Sequence, residues 1–206
     1  MMRISRYSIM YVIAMTLAIA ISACSATQLK TQWRDPDYRA VSGQRVLVIA
    51  VFGREERRRT LEDRFAARLR QEGVDATASY GHLPNINGPK NLDAVKSAVE
   101  RSGATMVLSV QLVDVQQRTA VGGGDYDRSG FYSHYPRAWA GVGPQPYVYT
   151  YRTYSTETRV FDIKNDKMIW AATMESEEPG DSTAAASEYA NLVVEQLRSK
   201  KIIGGG

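Results

Sequence analysis

From Arg45 to Phe52 the chain reads Arg-Val-Leu-Val-Ile-Ala-Val-Phe, apolar without alternation and rich in β-branched residues, until Gly53 stops it. A strand apolar on both sides belongs inside a sheet that is covered on both faces. The period then changes to that of a helix. Leu61, Phe65 and Leu69 recur every fourth residue, and Gly73 ends the run. Val74, Ala76, Ala78 and Tyr80 alternate as a second strand, which closes at the turn Gly81-His82-Leu83-Pro84. A loop through Asn87-Gly88-Pro89 leads to a second helix, with Leu92, Val95 and Val99 on one face and Gly103 as its stop. Thr105 to Val115 form a third strand. Right-handed crossovers in this strand, helix, strand, helix, strand order place both helices against the sheet.

After a long interruption the pattern is that of a hairpin. Tyr147 to Ile163 is strand-like, Lys164-Asn165-Asp166-Lys167 is a polar turn, and Met168 to Met174 returns with Met168, Trp170, Ala172 and Met174 on one face. The aromatic alternation changes phase near Arg152 to Ser155, which predicts a bulge or break there. Pro179-Gly180 ends the hairpin region, and Asp181 or Ser182 caps a last helix with Ala186, Tyr189, Val193 and Leu197 as its apolar stripe. Gly204 to Gly206 should fray. The expected fold is a single α/β domain over residues 44–203, with helices on a mixed sheet and a long loop over 119–146.

The front of the chain has a different design. Arg3 and Arg6 precede an apolar run from Ile9 to Ala20, and Ser22-Ala23 are small. A spanning helix needs roughly 20 apolar residues, so a secretory signal over residues 1–23 is the better reading. Ile21-Ser22-Ala23-Cys24 resembles the lipobox of bacterial lipoproteins at every position. The resemblance implies a diacylglycerol on the Cys24 thiol, removal of the peptide before it and acylation of the new amino terminus. Two or more acyl chains hold a protein to a membrane stably, where one gives only marginal binding. Ser25 follows the cysteine, and in enterobacterial-type sorting this implies the periplasmic face of the outer membrane. The alternative is an ordinary cysteine in an uncleaved anchor helix. Residues 24–43 read as an acylated end and tether, polar apart from Trp33 and Tyr38 and broken by Pro36. Those two aromatic residues either dock on the domain or sit in an edge strand, docking being preferred.

Charge and candidate chemistry narrow the function classes. Lys and Arg number 26 and Asp and Glu 22; loss of Arg3 and Arg6 with the signal leaves 24 against 22, a net +2. That balance argues against nucleic acid as a partner. Cys24 is the only cysteine, so its lipidation leaves no disulfide, thiolate nucleophile or cysteine metal ligand. His82 and His134 are the only histidines and read as loop residues, not as a metal pair. No Gly-x-Ser-x-Gly occurs, and neither Gly122-Gly123-Gly124 nor Gly53-Arg54-Glu55-Glu56 has the form of a phosphate loop. Asp125, Asp127, Ser129 and Gly130 open like a calcium loop, but Pro136 stands where the bidentate Glu belongs. Neither catalytic residues, nor a cofactor, nor a metal are therefore expected. Arg57-Arg58-Arg59 reads as a solvated helix entrance balanced by Glu55 and Glu56, with Glu55 pairing to Arg59, in preference to a lipid-binding patch.

The order of elements resembles the α/β domain shared by the TolB amino-terminal domain, the curli secretion lipoprotein and the lipoprotein activators of penicillin-binding proteins. Within that set, Thr158-Arg159-Val160-Phe161-Asp162-Ile163-Lys164-Asn165-Asp166-Lys167-Met168-Ile169-Trp170 is similar to the hairpin of uncharacterised periplasmic lipoprotein families. The resemblance spans roughly residues 45–200. It departs from the curli pore, whose paired membrane-spanning hairpins have no obvious counterpart here. The segment between the two halves is rich in Gly and aromatics, with Tyr132, Tyr135, Trp139, Tyr147, Tyr149 and Tyr151 as a candidate partner surface. Tyr147, Tyr149 and Tyr151 fall on one side of a strand and offer large contact area with polar tips. Two readings stay open for these rings, a partner surface or a cover for the sheet. The function expected is a membrane-anchored binding or assembly module of the envelope with a protein partner. A secretion oligomer and an enzyme with its site at the carboxyl ends of the parallel strands are the alternatives.

Overall fold

A computed structural model describes residues 27–83, 92–122, 132, 135, 147–177 and 182–204. It contains a six-stranded mixed sheet with helices packed on it, the α/β class expected. In chain order the elements are β1 (Thr27–Arg34), β2 (Arg45–Val51), α1 (Glu55–Gln71), β3 (Asp75–Ala78), a 3-10 turn (Ser79–Gly81), α2 (Leu92–Ser102), β4 (Met106–Gly122), β5 (Tyr147–Asp162), β6 (Lys167–Glu177) and α3 (Ser182–Ser199). The spatial order is β1-β6-β5-β4-β2-β3; β2 runs parallel to β3 and β4, and the remaining pairs are antiparallel.

The unbroken apolar run of β2 explains its position. Val46, Val48 and Ala50 face one side and join Phe65 and Leu69 of α1, Val193 and Leu197 of α3, and Trp170 and Met174 of β6 in the main core. Leu47 and Ile49 face the other side, with Val107 of β4 and Val95 and Val99 of α2. The two crossover helices thus lie on opposite faces, and α3 joins α1. Gly73 ends α1 at φ 80°, where Gly73 N donates to Arg70 O at 3.0 Å and Val74 N to Leu69 O at 3.1 Å. This left-handed closure is one a side chain resists.

Several expectations need correction. The presumed tether is built structure from Thr27 onward, because β1 pairs antiparallel with β6 from Thr27↔Ser176 to Arg34↔Trp170. Trp33 therefore sits in the edge strand, while Tyr38 docks on the main core. Arg34 Nε donates to Lys200 O at 2.8 Å and Arg34 Nη2 to Tyr38 O at 2.8 Å. Gln44 Nε2 donates to Ile202 O at 2.8 Å, so this segment closes the end of α3. The second strand stops at Ala78, its last residues turning into the 3-10 turn. β4 runs on to Gly122, so residues 119–122 are strand and not loop.

The irregularity expected in β5 at Arg152 to Ser155 lies instead across from it, between Leu112 and Asp114 of β4. Alternation in β5 is unbroken there, since Tyr154 and Tyr151 simply face opposite sides of the sheet. A second shift falls between Val160 and Phe161, and β6 absorbs it at Ile169. Ile169 and Trp170 both reach the core, and Met168 opposes Phe161, off the face of Trp170, Ala172 and Met174.

Candidate functional site

The two longest strands make the most distinctive surface. β6 follows β5 only as far as Thr153↔Glu177, and β2 follows β4 only as far as Val51↔Gln111. Beyond these points β4 and β5 pair with each other alone among the described residues, out to Gly122↔Tyr147. An isolated two-stranded ribbon is marginal in water, so its side chains decide whether it persists. Tyr147, Tyr149 and Tyr151 project from one side as a ladder, with successive ring centroids 5.9 Å and 5.9 Å apart and planes tilted by 41° and 34°. The residues across from the outer two are Gly122 and Ala120, too small to cover a ring. Tyr147 is 61% and Tyr149 46% exposed, and Val148 on the other side is 68% exposed.

The structure thus brings Tyr147, Tyr149 and Tyr151 together as the alternation predicted. Tyr132 and Tyr135 are 91% and 51% exposed. Trp139 lies outside the described residues, as do Ile21, Ser22, Ala23 and Cys24, the calcium-like positions Asp125, Asp127, Ser129, Gly130 and Pro136, and His134. His82 follows the 3-10 turn, where its carbonyl accepts from Arg101 Nη2 at 2.7 Å. No helix among the described residues is long and apolar enough to cross a membrane.

A cleft of about 360 Å³ opens beside the base of the ribbon, outside the carboxyl end of β2. This is where chain connections diverge in an open α/β sheet and where ligands commonly bind. Phe52, Leu61 and Leu112 supply apolar lining, Arg54 and Arg57 cationic groups, and Glu56 the one carboxylate among its lining residues. Tyr189 forms another wall; its hydroxyl meets Thr158 Oγ1, and burial pushes the phenol above its ordinary range.

Behind the cleft the arginine run divides in a way its sequence did not suggest. Arg59 Nε pairs with Glu55 Oε1 at 2.8 Å, as expected, and its guanidinium lies 5.1 Å from the ring centroid of Tyr80. The Glu55 carboxyl is held below its ordinary range mainly by its hydrogen bond from Arg59. Arg58, in contrast, is 1% exposed and Glu62 0%. Glu62 Oε1 accepts from Arg58 Nε at 3.0 Å, Ala50 N at 3.1 Å and Ser79 Oγ at 2.7 Å, and Oε2 accepts from Tyr80 N at 3.0 Å. Arg58 Nη2 reaches Ser79 Oγ at 3.0 Å and Leu83 O at 2.6 Å. This network ties the carboxyl ends of β2 and β3 to α1, and its polar groups are spent on the fold. The signal was present: positions 58 and 62 lie on the helical stripe of Phe65 and Leu69, where charges are out of place.

Fold and site together define an α/β domain carrying an aromatic β-ribbon and an adjoining cleft at one end. No family model matches the sequence, and no curated protein matches it. Among solved structures the chain is similar to PelC of Paraburkholderia phytofirmans, crystallised as a dodecamer, at 14% identity over 83% of this chain and 96% of that one, with a TM-score of 0.46. It is also similar to lipoprotein GNA1162 of Neisseria meningitidis, at 12% identity over 76% and 99% of the two chains and a TM-score of 0.43. A neuraminyllactose-binding hemagglutinin homolog of Helicobacter pylori aligns at 10% identity over 80% and 90%, with a TM-score of 0.41. At these identities and scores the likeness is one of chain layout.

Proposed function

We propose that this chain is a lipid-anchored protein of the bacterial envelope, held through acyl chains on Cys24, whose α/β domain presents the β4–β5 ribbon as a binding surface. The observation that carries this reading is the ladder of Tyr147, Tyr149 and Tyr151, stacked at 5.9 Å steps on a ribbon that leaves the sheet with two exposed rings. Exposed apolar and aromatic surface of this kind marks an interaction site. The lipobox supplies the anchor and the destination, the outer membrane being favoured by Ser25. We take a binding module over an enzyme because the polar groups at the carboxyl end of β2 close a structural network, while the ribbon's side chains reach outward. A photo-crosslinking residue at Tyr149 should form a discrete adduct with an envelope component in intact cells, and one at Lys164 on the opposite end should not. Equal labelling, or none at Tyr149, would refute the reading.

A further inference from the structure

We infer that the outer part of the β4–β5 ribbon lies in the headgroup layer of the bilayer that holds Cys24. This rests on the proposed acylation of Cys24 and names the partner of the same surface.

Thr27 opposes Ser176, Ser176 opposes Tyr154, and Tyr154 opposes Val115, so these four residues stand at one level across the sheet. Strands β1 and β5 run in the same direction, each being antiparallel to β6. The ribbon therefore extends past this level toward the side from which residues 24–26 enter β1. From Tyr154 to Tyr147 are seven residues, roughly 23 Å of strand. From Thr27 back to Cys24 are three residues, which span at most about 11 Å whatever path they take. Sheet twist of roughly 20–25° per strand interval turns β5 by about 45° from β1, which shortens the projection to about 16 Å. The ribbon still outreaches the anchor. A lipid-bearing Cys24 sits at the membrane surface, so the outer ribbon pairs enter it unless the strands lie flat along it.

The chemistry of the ribbon fits that location and limits its depth. From Thr119 to Gly122 and from Tyr147 to Tyr151 no residue is charged, and three of the nine are tyrosines. Tyrosine concentrates where bilayer meets water, its ring in the apolar layer and its hydroxyl among headgroups. Both backbone edges of the ribbon are without a strand partner among the described residues, which the hydrocarbon core would not tolerate and the hydrated headgroup layer does. The same end of the domain carries Arg54 and Arg57, suited to anionic headgroups.

The test uses the full chain, processed and acylated in cells and reconstituted in phosphatidylethanolamine/phosphatidylglycerol vesicles. Acylation consumes the only native thiol, so Val148→Cys and Lys164→Cys each offer one labelling site for an environment-sensitive fluorophore. The label at 148 should shift to shorter wavelength and be quenched by lipids spin-labelled in the upper acyl chain; the label at 164 should stay aqueous. An aqueous label at 148 on acylated, vesicle-bound protein overturns the inference and leaves the anchoring intact. Shielding at 148 that appears only when envelope proteins are added also overturns it, assigning the ribbon to a protein partner. An amino-terminal peptide without acyl mass would instead remove the anchor on which both readings stand.

Discussion

Arg58→Met should be among the most damaging single substitutions in the described core, although it exchanges a charge for an apolar side chain of similar length. Glu62 would keep its bonds from Ala50 N, Ser79 Oγ and Tyr80 N but lose its cation, and Leu83 O would lose the donor now 2.6 Å away. Removing one partner of a buried, hydrogen-bonded pair costs about 3–5 kcal/mol, because the remaining charge stays out of water. Glu62→Met should cost a similar amount: it leaves Arg58 only Glu55, 3.2 Å from its Nη1, as a carboxylate partner, and strands the amides of Ala50 and Tyr80. The double variant strands no charge. It loses hydrogen bonds to a few backbone groups, each worth about 1–3 kcal/mol when left unsatisfied, so its cost should fall below the sum of the singles. A coupling energy of about 2–3 kcal/mol is expected. Urea unfolding of the full chain in detergent, followed by tryptophan fluorescence, measures all four corners of the cycle. In thermal scans each single variant should melt about 6–20 °C lower, since 1 kcal/mol moves a domain of this size by about 2–4 °C. Single costs below about 1 kcal/mol, or additivity within about 0.5 kcal/mol, would refute the assignment of this pair as a buried structural lock.

Two further outcomes follow from particular contacts. Gly103 has φ 63° and an added Cβ would lie 2.5 Å from Arg45 Nη1, whereas Gly73 has φ 80° and open space around it. Because the obstructing atom ends a flexible side chain, Gly103→Ala and Gly73→Ala should cost alike, about 1–2 kcal/mol for the left-handed backbone; an excess above about 1.5 kcal/mol at Gly103, measured by urea midpoint, would show Arg45 to be fixed. Asp35 Oδ2 meets Lys167 Nζ at 2.6 Å and Asp35 Oδ1 accepts from Asp37 N at 3.0 Å, with the Lys167 bond the larger cause of a lowered Asp35 carboxyl pKa. A depressed carboxyl stabilises the fold above its unfolded pKa of about 3.9, and this is lost as pH falls through the lower folded value. The urea midpoint of Asp35→Asn should therefore lie below that of the parent at about pH 7 and converge on it below about pH 4; a gap independent of pH would contradict the ion pair.

What could be read from the sequence was whatever one element announces alone. The apolar run of β2, the stripe Ala186, Tyr189, Val193 and Leu197 on α3, and the glycine stop at Gly73 each follow from a local period, and each stands where expected. The polar turn was equally legible, Asp162 accepting from Lys164 N at 3.0 Å and from Asn165 Nδ2 at 2.6 Å. β1 was legible only as the less favoured alternative to docking, since its sequence Thr-Gln-Leu-Lys-Thr-Gln-Trp-Arg has little alternation to show. It is held by backbone pairing to β6 and by the contacts of Arg34, relations between residues more than a hundred positions apart. The tyrosine ladder was visible as three alternating residues, but its projection was not. That depends on where β6 stops beside β5, at Glu177.

The loss of the tether changes what a lipid on Cys24 would do. A flexible leader of some twenty residues would let the domain move at a distance of several nanometres from the membrane, and any surface contact would form and break independently of the anchor. With β1 starting at Thr27, such a lipid would instead hold the ribbon within about a nanometre of the bilayer. Effective concentrations across so short a link reach the millimolar range, so contacts too weak to bind a free protein become populated. A few exposed tyrosines on a two-stranded ribbon could make such contacts. The proposed anchor and ribbon would then work as two signals: the acyl chains would confer residence, and the ribbon would fix which face of the domain looks into the envelope space. On that geometry the turn at Lys164 to Lys167 and the carboxyl end of α3 would point away from the membrane.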